Sequence, residues 1–386
     1  MQIHQMMVMR TPEGGITMLK EGKFGLAEAI SITTLLMITK IFYTSPVVVV
    51  KSVGTAAWYM TLVSFLTSLL LFYLVYSLMK RFPGENIIQI FELVLGKVVG
   101  KIFGLAFSIF ILYYSAMNLR EFLELLKAYV LPYTPPSLIF AGFIGVSMLL
   151  AYLGLEVIAR VSYLSIYPVL IGLAILLAMA STYYNPDNIK PFFGYGLDKT
   201  IYNGVLRSSA YAEVLLLALA MNALKDVKTF MKAGFISLTI GAAVFSICLL
   251  LYIRAFGYQL GSENLSGMFQ LSRIIYLSRF FQRVESIFLF IWILCSIVTV
   301  STSFYMSIAT YCKVFNIPSQ KPLIYLFGVL LFIIAITPQN ISEVIEVHML
   351  VIRQYSGIGV YGGPILVLMI SLLFGKKGGN AKSEKG

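Results

Sequence analysis

Lys40 and Glu213 are the two residues of this sequence that most demand a chemical role, because each is a formal charge set inside a long apolar run. A charge at membrane depth costs several kcal/mol and marks a working site unless it is paired. Lys40 sits near the middle of the run at about 24–50, and Pro46 follows it. Proline lacks a backbone donor and clashes with the carbonyl four residues back, so a helix entering this stretch must kink or end there. Thr39, Tyr43, Thr44 and Ser45 bring hydroxyls to the same place. The stretch from Arg207 to Glu213 repeats the pattern, with Ser208, Ser209 and Tyr211 beside the carboxylate and Arg207 near the end of its run. The chemistry on offer is hydrogen bonding and ion pairing to a small polar solute, or proton exchange.

Lys40 has three readings. It binds a solute carboxylate or titrates as a buried amine, it pairs structurally with Glu213, or it snorkels to an interface. Tyr113, Tyr114 and Asn118 in the third run, and Ser296, Thr299, Ser301 and Thr302 in the eighth, are further polar candidates. For these, and for Ser208, Ser209 and Tyr211, helix–helix packing is the competing role. Tyr163 and Tyr167 read as packing or interface residues.

The bulk composition names the class of protein. Hydrophobic residues make up 59% of the 386, and charged residues only 12%. Soluble domains carry about 25% charged residues, so the chain is expected to be a polytopic helical membrane protein. The net charge of +12 does not indicate nucleic-acid binding, because Lys and Arg fall mainly in short connections between apolar runs. Cys248, Cys295 and Cys312 all lie inside apolar runs without metal-ligand spacing, and His4 and His348 are solitary. No metal, cofactor or nucleophile–base set is expected.

Ten apolar segments follow, at about 24–50, 55–79, 100–128, 137–155, 160–181, 204–224, 233–257, 284–312, 322–337 and 357–374. About 20 helical residues cross a hydrocarbon core of ~30 Å. Residues 1–23 form a polar tail without a signal peptide, and 375–386 read as a disordered, solvated tail. Lys80, Arg81, Lys97, Lys101, Arg160, Lys225, Lys228, Lys232, Lys313 and Lys321 share one side with both tails, which puts the termini in the cytoplasm by the positive-inside rule. The longer connections, 182–203, 258–283 and 338–356, then face outward as loops.

Asn86–Leu95 and Met268–Phe281 are amphipathic and read as interfacial helices. They occupy the same place in two five-segment halves, about 24–181 and 204–374, on opposite faces. That is the signature of an inverted repeat, in which discontinuous first and sixth helices hold a solute between them.

Two motifs carry a family resemblance. Arg81-Phe82-Pro83-Gly84-Glu85-Asn86, continuing through Phe91-Glu92 and Leu95-Gly96-Lys97 to Gly100-Lys101, resembles the loop after helix two of spore-germination permeases, the B subunits of nutrient germinant receptors. Phe281-Gln282-Arg283-Val284-Glu285-Ser286-Ile287-Phe288, with Trp292 following, resembles that family's entry into helix eight. The resemblance implies a branch of the amino acid–polyamine–organocation superfamily, an all-α ten-helix LeuT-like fold of 5+5 inverted repeats, and a cation site on helix eight in many members. It also implies A-type and C-type receptor subunits as partners, in a spore inner membrane or bacterial cell membrane. One departure stands out. The superfamily's first-helix glycines, which let backbone amides approach a solute carboxylate, correspond here to Ile38 and Lys40. The resulting expectation is a nutrient-sensing subunit that binds a small solute, an amino acid, between helices one and six. The alternative is a proton-coupled amino acid transporter using the same pocket. Neither reading makes it an enzyme.

Overall fold

A computed structural model describes residues 22–276 and 284–378. All regular structure among the described residues is helical. Seven helical stretches are long and apolar enough to cross a membrane: Ser45–Arg81, Lys97–Tyr129, Pro136–Leu153, Leu155–Tyr183, Val227–Glu263, Glu285–Phe315 and Ile341–Leu373. The other apolar segments of the sequence are a shorter helix, Lys321–Ile336, and two that are broken, 26–53 and 197–224.

The first broken segment begins as α1 (Leu26–Ile38), passes through a 3₁₀ turn (Thr39–Phe42) and resumes as α2 (Ser45–Val53). Tyr43 between them is extended, with φ −95° and ψ −152°. Pro46 lies in the first turn of α2, where a missing N–H is harmless and a fixed φ suits a new helix. It therefore restarts the helix rather than kinking it. Pro46 cannot donate to the carbonyl of Phe42, the residue four back. The Ser266 hydroxyl supplies that bond instead, at 3.1 Å. At membrane depth an unmet carbonyl is costly, so a break survives only where protein satisfies it.

The chain continues through α3 (Ala57–Arg81), α4 (Ile87–Leu95), α5 (Lys97–Tyr129), α6 (Pro136–Leu153) and α7 (Leu155–Met179). Amphipathic α4 starts on Asn86, which caps it reciprocally with Gln89, and buries Ile87, Ile88, Ile90, Phe91 and Val94. The second broken segment is α8 (Leu197–Leu206), a long 3₁₀ stretch (Arg207–Leu215) and the single turn α9 (Leu216–Leu219). Then follow α10 (Val227–Glu263), α11 (Gly267–Ile274), α12 (Glu285–Phe315), α13 (Lys321–Ile336), the short α14 (Ile341–Glu343) and α15 (Ser356–Leu373).

Helix α12 is the hub, touching α1, α5, α6 and α7. Small residues let it approach α5 closely. Ser108 Oγ donates to the Ser307 carbonyl at 2.9 Å, and Ser307 Oγ returns the bond to Ser108 at 2.8 Å. A side chain at Gly104 would meet Val314 at 2.5 Å.

Three connections differ from their reading as loops. Residues 338–356 are largely helical: α14 leads into two π-wound stretches, Val344–Met349 and Val351–Tyr355, that run directly into α15. Gln339, Glu343, Glu346 and His348 dilute the hydropathy there, but the Asn340 side chain caps the start by accepting from the Glu343 N–H at 2.9 Å. Helix α10 passes its glycine at 257 (φ 69°) and ends at Glu263, and α8 begins inside 182–203. The second amphipathic helix is present as α11 up to Ile274. Against that expectation the helix does not continue through Ile275 and Tyr276, because Ile275 turns extended (φ −71°, ψ 113°); residues 277–281, with Phe281, Gln282 and Arg283 of the resembling motif, lie outside the described residues, as do most of both tails.

Ser266→Ala is expected to strand the buried Phe42 carbonyl at a cost of about 1–3 kcal/mol. The check is the thermal unfolding midpoint of the detergent-purified protein. A midpoint equal to wild type would show that the break does not depend on this bond.

Candidate functional site

The two breaks meet, and a salt bridge joins them. Lys40, in the first 3₁₀ turn, places Nζ 2.7 Å from Oε1 and 2.8 Å from Oε2 of Glu213, in the second. The same ammonium donates to the Ala210 carbonyl, and the Tyr114 hydroxyl donates to Glu213 Oε1 at 2.8 Å. All three side chains are buried. Carbonyls of the second stretch take further side-chain donors: Ser68 Oγ reaches Ser208 O at 2.8 Å, and Tyr361 OH reaches Tyr211 O at 3.3 Å. These bonds tie the 3₁₀ backbone to α3 and α15.

A second ion pair lies beside the first. Arg353, from the π-wound stretch, clamps Glu121 of α5 with Nη1–Oε1 at 3.0 Å and Nη2–Oε2 at 2.5 Å. Glu121 is 0% exposed. It also accepts from the Thr44 hydroxyl at 2.5 Å and the Thr44 N–H at 3.2 Å, which anchors the start of α2. Ser209 Oγ donates to the Arg353 carbonyl at 2.5 Å, linking the two pairs. A two-toothed, hydrogen-bonded ion pair of this kind gives a buried carboxylate the partners that burial takes from it.

Between these pairs is a cavity of about 50 Å³ lined by Lys40, Ile111, Tyr114, Ser209, Glu213 and Arg353, among others. It takes a few waters, so a larger solute requires its walls to part. A larger apolar pocket of about 410 Å³ between α5 and the 351–360 stretch shares Phe107, Phe110, Ser356 and Val360 with it.

Most of the remaining candidates bond to the framework around the breaks. Thr39 and Thr299 contact each other through their hydroxyls at 2.8 Å, and Tyr43 OH donates to Ser296 Oγ at 3.1 Å. Both contacts pin the first break to α12. Ser301 bonds Ser147, and no group of metal-ligating residues forms among the described residues. Ser45 lies by Thr44, and Tyr211 OH donates to the Thr61 carbonyl at 3.4 Å. Asn118 is spent on the Tyr114 carbonyl at 2.7 Å, and Ser208 contributes its backbone. Tyr113 turns away to His348 Nδ1 at 2.6 Å, because adjacent helical residues point about 100° apart and only Tyr114 faces the breaks.

Sequence reasoning missed Glu121 and Arg353. The rule that singled out Glu213 applies equally to Glu121, a carboxylate in an apolar run. Arg353 was hidden by the reading of 338–356 as a loop.

The chain is 23% identical over 308 residues to spore germination protein KB of Bacillus subtilis (strain 168), covering 78% of this chain and 82% of that protein. In structure it resembles a nucleobase-cation-symport-1 family transporter in a closed conformation with bromovinylhydantoin bound, with TM-score 0.64, 13% identity and coverage of 86% of this chain and 76% of that one. It also resembles a Na+-coupled sialic acid symporter in a substrate-bound outward-open state, with TM-score 0.63, 10% identity and coverage of 90% and 79%. The fold is thus that of LeuT-like transporters. The model of the family described as spore germination protein matches residues 26–344, and the chain belongs to that family.

Proposed function

We propose that this protein is a nutrient-sensing membrane subunit of a spore germinant receptor, binding a small solute, an amino acid, in the cavity between the broken segments. The observation that carries this reading is the Lys40–Glu213 bridge, which makes the two breaks one site. Solute entering there competes for the charges that hold the breaks together. Binding thereby favours one arrangement of the bundle over another. The family membership and the solute-bound states of the structural relatives support it.

In this reading the broken segments 26–53 and 197–224 and the short α13 complete ten crossings, arranged as two inverted five-helix halves. Interfacial helices α4 and α11 occupy equivalent places. The termini are cytoplasmic, so α2 and α8 lie on the outer side of the breaks. A-type and C-type receptor subunits receive the conformational change. The alternative, a proton-coupled amino acid transporter, is favoured by one specific feature: a buried lysine–carboxylate pair can release and regain a proton as the breaks part.

Removing one partner of a buried ion pair costs about 3–5 kcal/mol, whereas removing both is far milder. Lys40→Met and Glu213→Gln should each lower the unfolding midpoint, and the double variant should recover most of the loss. Spores carrying the double variant should still lose their germination response to amino acids by tenfold or more, if each site residue supplies about 1.4 kcal/mol of binding. A double variant that is both stable and fully responsive would remove this pair from the mechanism. Purified wild-type protein in proteoliposomes separates the two readings. A receptor shows solute-dependent stabilisation without uptake, and a transporter accumulates labelled amino acid until the proton gradient is collapsed.

A further inference from the structure

Arg207 is the buried charge that the two ion pairs leave over. It is 4% exposed, at the junction of α8 and the 3₁₀ stretch, and its Nε has no hydrogen-bond partner among the described residues. The charged group facing it is Arg353, a like charge, whose guanidinium is already committed to Glu121. Glu213 is likewise committed to Lys40 and Tyr114. At the breaks, therefore, three buried cations, Lys40, Arg207 and Arg353, face two buried carboxylates, Glu121 and Glu213. A buried cation without a counter-charge is strongly unfavourable.

Arg207 lines a narrow cavity together with Thr44, Ser45, Val48, Met349 and Arg353. The cavity holds about 10 Å³, room for one water-sized group. Its walls are the start of α2 and the π-wound stretch, which are also the elements holding the Glu121–Arg353 pair.

We propose that Arg207, with Arg353 behind it, forms a subsite for a compact monovalent anion on the α2–α8 side of the breaks. The cavity takes a single atom of that anion, either one oxygen of an amino-acid carboxylate that reaches in from the solute site or a free halide. As a solute subsite it rests on the function proposed above; as an anion site it stands independently.

The test uses the full-length purified protein without any amino acid, with thermal unfolding followed at constant ionic strength in sodium acetate, sodium chloride or bulky sodium isethionate. Acetate or chloride should raise the midpoint saturably by several degrees relative to isethionate, and Arg207→Gln should abolish that difference. In isethionate, Arg207→Gln should be at least as stable as wild type, because it deletes an unpaired buried charge; a merely structural arginine would give a less stable variant in every salt. Stabilisation by acetate alone assigns the subsite to the solute carboxylate, and stabilisation by chloride alone or by both assigns it to compact anions generally. No anion dependence in wild type, or full dependence retained in Arg207→Gln, overturns the proposal. A preserved anion shift alongside no response to any amino acid would instead count against the solute reading while leaving the subsite standing.

Discussion

A charge removed from water must find an opposite charge, and in this protein that requirement joins two halves of the chain. Lys40 and Glu213 are 173 positions apart in sequence, yet their side-chain atoms lie 2.7 Å apart. Each interrupts an apolar segment that would otherwise wind continuously. Each is tolerable at depth because the other meets it. The breaks are therefore mutually dependent, and a cavity lies beside the pair that joins them.

The backbone obeys the same accounting as the charges. Pro46 takes a donor away from Phe42, and Ser266 replaces it from the start of a helix distant in sequence. Carbonyls of the second stretch draw on Ser68, Lys40 and Tyr361. Thr44 gives both its hydroxyl and its N–H to Glu121. Irregular backbone is thus held by side chains from α3, α5, α11 and α15, and a movement in any of these elements changes what the breaks can bond to. Under the proposed function, this would be the physical route by which occupation of the cavity reaches those elements.

The π-wound stretch before α15 adds a third irregular element. His348 and Arg353 both lie on its π-wound stretches, and they meet Tyr113 and Glu121 respectively. π-turns inside helices often occur at working sites. Here the turn sets a guanidinium beside the start of α2 and close to Arg207, so three departures from α-helical winding converge on one region.

The sequence by itself determined the class of protein, the two breaks and the Lys40–Glu213 candidates, because each is a local signal: apolar run length, a proline, or a charge where none belongs. Amphipathic α4 was legible for the same reason, since Ile87, Ile90, Phe91 and Val94 recur at helical spacing. Tertiary structure alone decided which polar residues converge. Tyr114 rather than Tyr113 reaches Glu213 because helix rotation is fixed by packing against α12, which no local pattern records. Glu121 and Arg353 find each other across 232 positions, and Arg353 sits on a helix whose polar composition reads as a loop. That the Arg207 Nε finds no hydrogen-bond partner among the described residues follows only from where the neighbouring charges are committed, and that is settled by the folded bundle.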